Sequence, residues 1–275
     1  MRGLAEYAML GRRQAIIVVL LSGFLPMFYF VSAATVGLVN LRKDLREGLI
    51  ILLWSLLPAV MFTIRGDATP LILMFGIAGL SQLLKHRSSW QKVILLGTGL
   101  GLLIQLSLIW QTSYLQQVEL FVAELIAAQV EQGVQTLYSA EQLIELVLGF
   151  YGAYHVTAII LCLMLARWWQ ASLYNPGGFQ QEFYQLRFDP RIMLVILVLI
   201  LAGLMAIEPL DSWLVIFCIP PMMGGIALMH YVVAKRKMGA TWLILCYVTL
   251  FMLPPIVIVL GLLDSVFDIR KRIIT

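Results

Sequence analysis

The sequence predicts an all-α fold, a polytopic membrane helical bundle of about six core transmembrane helices with proline-broken membrane segments at both ends. Three observations carry this expectation. Of 275 residues, 61% are hydrophobic and only 12% are charged, where a soluble domain carries roughly 25% charge. The apolar residues fall in runs close to the roughly 20 that a helix needs to cross a bilayer. The short polar clusters between those runs alternate in charge along the chain. Residues 1–275 therefore read as a single integral membrane domain, with an N-terminal membrane part (1–111), a water-facing amphipathic helix (112–146) and a C-terminal membrane part (147–275).

The first apolar run, residues 14–39, carries Pro26 at its midpoint. Proline removes a backbone donor and clashes with the carbonyl one turn back, so this run kinks or splits there. Arg12-Arg13 before it and Ser32-Ala33-Ala34 within it resemble a signal peptide, but the run continues to Val39, so the segment is expected to remain as an anchor. Six further runs follow at 48–64, 69–84, 93–111, 147–166, 192–207 and 213–234. The last run, 240–263, is broken by Pro254-Pro255.

Charge assigns sidedness. Arg42, Lys43 and Arg46, then Lys85, Arg87 and Lys92, then Arg167, Arg187 and Arg191, and finally Lys235-Arg236-Lys237 mark basic turns. Arg65 with Asp67, the glutamates of 113–146, and Glu208 with Asp211 lie between them. With basic turns in the cytoplasm, the six central runs all obey the positive-inside rule. If both proline-broken segments turn back, the termini are cytoplasmic as well. A half-segment of about 12 residues spans only about 18 Å, too short for a 30 Å core. The expected location is a membrane that the chain crosses several times.

Within 113–146, Leu115, Val118, Val122, Leu125, Ile126, Val130, Val134 and Leu137 recur at steps of three and four, marking one helical face. Glu119, Glu124 and Glu131 form an acidic outer face with no Lys or Arg to offset them. Such a helix lies on the outer leaflet, or forms an electronegative mouth that attracts cations or a basic partner.

No catalytic motif is present: there is no HExxH, GxSxG or phosphate-binding loop, and no acidic cluster with metal-ligand spacing. No metal, cofactor or enzymatic activity is expected. Cys162, Cys218 and Cys246 lie in apolar runs without metal or disulfide spacing. The net charge of +4 comes from the basic turns and is not a nucleic-acid footprint. The candidates for function are polar residues inside spans, which lipid cannot satisfy. Tyr151, Tyr154 and His155 share one side of a helix and, with Gln105, are the candidate ligand-binding groups. Each could instead be interhelical glue, as could Gln82, Ser107 and His230. Gly97 and Gly101 mark a close helix crossing, and Trp168-Trp169 an interfacial belt.

Several stretches carry a family resemblance: Asn175-Pro-Gly-Gly-Phe-Gln-Gln-Glu-Phe-Tyr-Gln-Leu-Arg187, the tail Leu260-Gly-Leu-Leu-Asp264-Ser-Val-Phe-Asp268-Ile-Arg270-Lys-Arg272, Leu25-Pro26, and the Val39-Asn-Leu-Arg42 turn. Together they resemble the DUF2232 (YybS-like) family of bacterial membrane proteins, grouped with the S-components of energy-coupling-factor transporters and with the cell-shape protein MreD. That resemblance implies an all-helical membrane fold and capture of a small, vitamin-like molecule from the outer side. The Ala-xxx-Ala docking face of S-components does not occur between Arg12 and Pro26.

Two functional expectations follow. One is a small-molecule binding or transport component, with ligand entering beneath the outer helix to meet Tyr151, Tyr154 and His155. The other is an MreD-like scaffold binding a membrane or cytoplasmic protein partner through exposed Phe179, Glu182, Arg187, Asp264, Asp268 and Arg270. The bilayer is the partner common to both.

Overall fold

A computed structural model describes residues 2–87, 89–131 and 138–273. These are helical almost throughout, with no strand among them. In order come α1 (Arg2–Leu10), α2 (Arg12–Phe24), α3 (Tyr29–Arg42), α4 (Leu45–Ile64), α5 (Thr69–Arg87) and α6 (Trp90–Leu106), which a 3-10 turn extends to Trp110. Then follow α7 (Thr112–Glu131), α8 (Ala140–Gly149), α9 (Tyr151–Tyr174), α10 (Gly178–Tyr184), α11 (Pro190–Leu204), α12 (Leu214–Lys235), α13 (Ala240–Met252), α14 (Pro254–Phe267) and α15 (Ile269–Arg272).

Four helices are long and apolar enough to cross a membrane: Leu45–Ile64, Trp90–Trp110, Ala140–Tyr174 and Leu214–Lys235. Helices also occupy the other two expected spans. α5 has the length but turns polar at Gln82, Lys85 and His86, and α11 has only 15 residues, about 22 Å at 1.5 Å per residue.

Both proline-broken runs are divided into two helices at their prolines. Leu25, which precedes Pro26, is extended, as the proline ring requires of its neighbour. Beyond the turn, the Ser32 hydroxyl donates to the Val19 carbonyl at 3.0 Å, so α2 and α3 lie side by side. The Arg12–Glu47 ion pair returns the start of α2 to the start of α4. At the other end α13 and α14 meet at 109° at Pro254. α13 starts just beyond Lys235–Lys237, and the end of α14 is tied to Arg187, so this pair also begins and ends beside basic turns.

The centre of the bundle is α3, buried at every position from Ser32 to Leu41. It is packed by α2, α4, α5 and α9. Its small residues let neighbouring backbones approach closely, the usual basis of helix association in lipid. Gly97 and Gly101 of α6 face Val156 of α9, which makes the expected close crossing. The tightest crossing joins α12 to α14, where a side chain on Gly261 would strike the Pro221 carbonyl. Trp168 is partly exposed, but Trp169 is fully buried. The expected interfacial belt is therefore corrected for Trp169, which the close packing of α9 turns inward.

α7 covers only part of its apolar face. Val118 and Val122 are buried, whereas Leu125 and Val130 are exposed; Val134 and Leu137 lie outside the described residues. Glu119, Glu124 and Glu131 are exposed.

Candidate functional site

α9 is separated from α8 by a break at Phe150, and a break frees backbone groups that lipid cannot satisfy. Gln105 of α6 closes it. Its side-chain nitrogen donates to the Leu148 carbonyl at 2.9 Å, and its oxygen accepts the Gly152 N–H at 2.8 Å. The absence of a side chain at Gly152 allows this approach, since a Cβ there would run into the Gly101 carbonyl. Gln105, expected among the ligand-binding groups, has both ends of its amide engaged within the bundle.

His155 is buried one turn further along α9. Its Nδ1 lies 2.8 Å from the Tyr151 carbonyl and its Nε2 lies 3.2 Å from Thr69 Oγ1. A carbonyl only accepts, so in the neutral imidazole Nδ1 carries the proton and Nε2 accepts from the Thr69 hydroxyl. The Tyr151 hydroxyl donates to Gln111 at 2.8 Å. Four rings surround the spot: Tyr114 lies 4.9 Å from Tyr151, Tyr151 4.3 Å from His155, and Tyr154 5.2 Å from His155 with its edge toward the ring.

These groups converge on one cavity of about 490 Å³, lined by Thr69 from α5, Tyr114 from α7, Leu146 from α8 and Tyr151, Tyr154 and His155 from α9. The volume suits a small-molecule site. The cavity sits at the starts of α5 and α9, the ends opposite Lys85 and Arg167, and therefore opposite the basic turns. Its wall holds hydroxyls, an imidazole and aromatic faces, without a charged side chain. The Asp67 carboxylate accepts the Thr69 N–H at 2.9 Å, with Arg65 on the same loop, and Glu119, Glu124, Glu131, Glu141 and Glu145 are exposed on α7 and α8, the helices that bring Tyr114 and Leu146 to the cavity.

Thr69 and His155 stand within nucleophile-to-base distance. The imidazole is oriented by a neutral carbonyl, however, whereas a carboxylate is what stabilises an imidazolium in hydrolytic triads. What this geometry offers is binding, by hydrogen bonds and stacking. Among the described residues no group of three or more His, Cys, Asp or Glu could hold a metal ion.

The residues expected on an exposed partner surface form a network at the opposite, basic end. Arg187 donates to the Asp264 carbonyl at 3.2 Å and the Ser265 carbonyl at 3.1 Å, and pairs with Asp268 at 2.7 Å. Arg270 donates to Asp264 at 2.8 Å, to the Leu186 carbonyl at 2.6 Å and to the Tyr184 carbonyl. Burial pulls the Arg270 guanidinium below its ordinary value, and the Asp264 carboxylate opposes that. Asp264 is 1% exposed and Arg270 9%. For these two the exposed-surface expectation is corrected: the 184–188 segment crosses over the tail, its carbonyls accept from Arg270, and Asp264 is buried behind that contact with its Oδ1 unpaired.

Glu182 pairs with Arg167 and accepts from Trp90 Nε1 at 3.2 Å. Phe179 packs edge-on to Trp90 and stacks on Phe183. The far side of α10 lines a second, aromatic cavity of about 600 Å³ with Trp168, His230 and Tyr247. There His230 Nε2 lies 2.9 Å from the Tyr247 hydroxyl.

Sequence reasoning did not find Thr69 or Tyr114. Thr69 reads only as a helix start behind Asp67, and Tyr114 as one aromatic on an amphipathic helix. No protein-family model, curated protein or solved structure matches the chain.

Proposed function

We propose that the protein is a small-molecule binding component of a bacterial inner membrane, with its basic turns in the cytoplasm and the His155 cavity open to the outer side. The observation that carries this reading is convergence. Thr69, Tyr114, Tyr151, Tyr154 and His155 come from three helices to one cavity of small-molecule size beneath the acidic helices α7 and α8. Sidedness rests on the basic turns, which share the face holding Arg12 and Arg270. The surrounding carboxylates favour a neutral or cationic ligand over an anion. This agrees with the capture implied by the resemblance to the DUF2232 family and to S-components. An MreD-like scaffold has less support, because Asp264 and Arg270 are turned inward.

The test is native mass spectrometry of protein extracted gently from its own membrane, wild type beside His155→Ala. The expected result is a small molecule retained on the wild type and lost from the variant, with helicity unchanged by circular dichroism. Equal retention by a well-folded variant would contradict the assignment.

A further inference from the structure

The His155 cavity shares two wall residues with a neighbouring cleft. Phe150 and Tyr154 line both, and the cleft is the larger, about 880 Å³ between α9, α12 and the proline turn of α14. That cleft follows one face of α9 through Ala158, Leu161 and Leu165, and is closed on the far side by Cys218, Met222 and Pro255. α13 has no buried residue; it touches α12 through Tyr247 and His230, and none of its residues lines the cleft, which is left open to the side. From Tyr154 to Leu165 is 11 residues, about 17 Å along the helix, close to the depth of one leaflet in a 30 Å hydrocarbon core.

A water-soluble ligand has no use for such an annex, because apolar surface binds hydrocarbon and offers a polar molecule nothing. The polar end limits the head group. The Thr69 and Tyr114 hydroxyls are its hydrogen-bonding groups, His155, with both nitrogens engaged, contributes its ring, and no charged side chain lines the wall. A phosphate would find no cation in the cavity wall, since Arg65, on the loop that carries Asp67, does not line it.

Building on the proposed outer site, we infer that its ligand is an uncharged lipid. Its small hydroxyl-bearing head sits against Thr69, Tyr114 and His155, and one hydrocarbon chain lies along α9 in the cleft. The head is selected by hydrogen bonding and stacking, and the chain by apolar burial.

The probes are 1,2-dioleoylglycerol and, as the anionic comparator with the same chains, dioleoylphosphatidylglycerol, each added to the delipidated protein and read by native mass spectrometry. Ala158→Trp fills the cleft without touching the outer cavity. Leu161→Trp does the same from a half-exposed position that tolerates bulk, and helicity is checked for both. The expected result is retention of dioleoylglycerol by the wild type at least five-fold above dioleoylphosphatidylglycerol, with a comparable loss in both tryptophan variants and in His155→Ala. If the protein's own ligand persists in folded tryptophan variants but leaves His155→Ala, the outer site stands and the lipid inference is overturned. If His155→Ala changes nothing, the outer site itself is overturned. Equal retention of the two lipids would overturn the uncharged head, and retention of neither would overturn the lipid.

Discussion

At the residue scale, Gln105 and His155 show how a buried polar side chain divides between holding the bundle and meeting a ligand. Gln105 satisfies the carbonyl of Leu148 and the N–H of Gly152. Gln105→Leu leaves both unpaired, at a cost of about 2–4 kcal/mol in the detergent-solubilised protein by chemical denaturation. Thr69→Val removes the hydroxyl that His155 Nε2 accepts from and leaves that buried nitrogen unpaired; ligand retention should fall several-fold and stability by about 1–3 kcal/mol. Asp268 sits in the left-handed region, and its carboxyl is held below the usual range, first by the Lys271 hydrogen bond and then by Arg187. A depressed folded value means that this contribution is fully present above the unfolded value, near 3.9. It is lost as pH falls through the folded value. Asp268→Asn should therefore lower the melting temperature most at neutral pH and converge on the wild type below about pH 4, which flattens the acid side of the profile. The spacing of Tyr151, Tyr154 and His155 was legible in the sequence, because polar groups stand out against hydrocarbon. Thr69 and Tyr114 were not, because their value comes from facing α9 across long stretches of chain.

At the element scale, the prolines are the most readable feature. Pro26 and Pro254 each separate two helices, and α13 and α14 meet at 109° at Pro254. The break between α8 and α9 has no such mark: no proline or charge precedes it, and it persists because Gln105 of another helix satisfies it. The glycine crossings combine both cases. Gly261→Ala would push α14 off the Pro221 carbonyl and should destabilise by about 1–3 kcal/mol, as overpacking does. Gly79→Ala, with open space around it, should be neutral or stabilise by up to about 1 kcal/mol. Thermal melts of the two variants in one detergent check the contrast.

At the scale of the whole molecule, charge orders the chain. Basic turns gather at one end, where Arg187 and Arg270 lock the tail beneath the 184–188 segment. At the other, the acidic helices α7 and α8 bring Tyr114 and Leu146 to the His155 cavity. The alternation of loop charge made this polarity visible in the sequence. The inward turn of Asp264 and Arg270 was hidden, because a charged tail reads as exposed until the chain that covers it is known. The most direct test is access. In a cysteine-free background, Leu146→Cys at the cavity and Lys237→Cys at a basic turn are treated with a membrane-impermeant maleimide on intact right-side-out vesicles. The expected result is labelling of Leu146→Cys at once and of Lys237→Cys only after permeabilisation. The reverse pattern would place the cavity on the cytoplasmic side and contradict capture from outside.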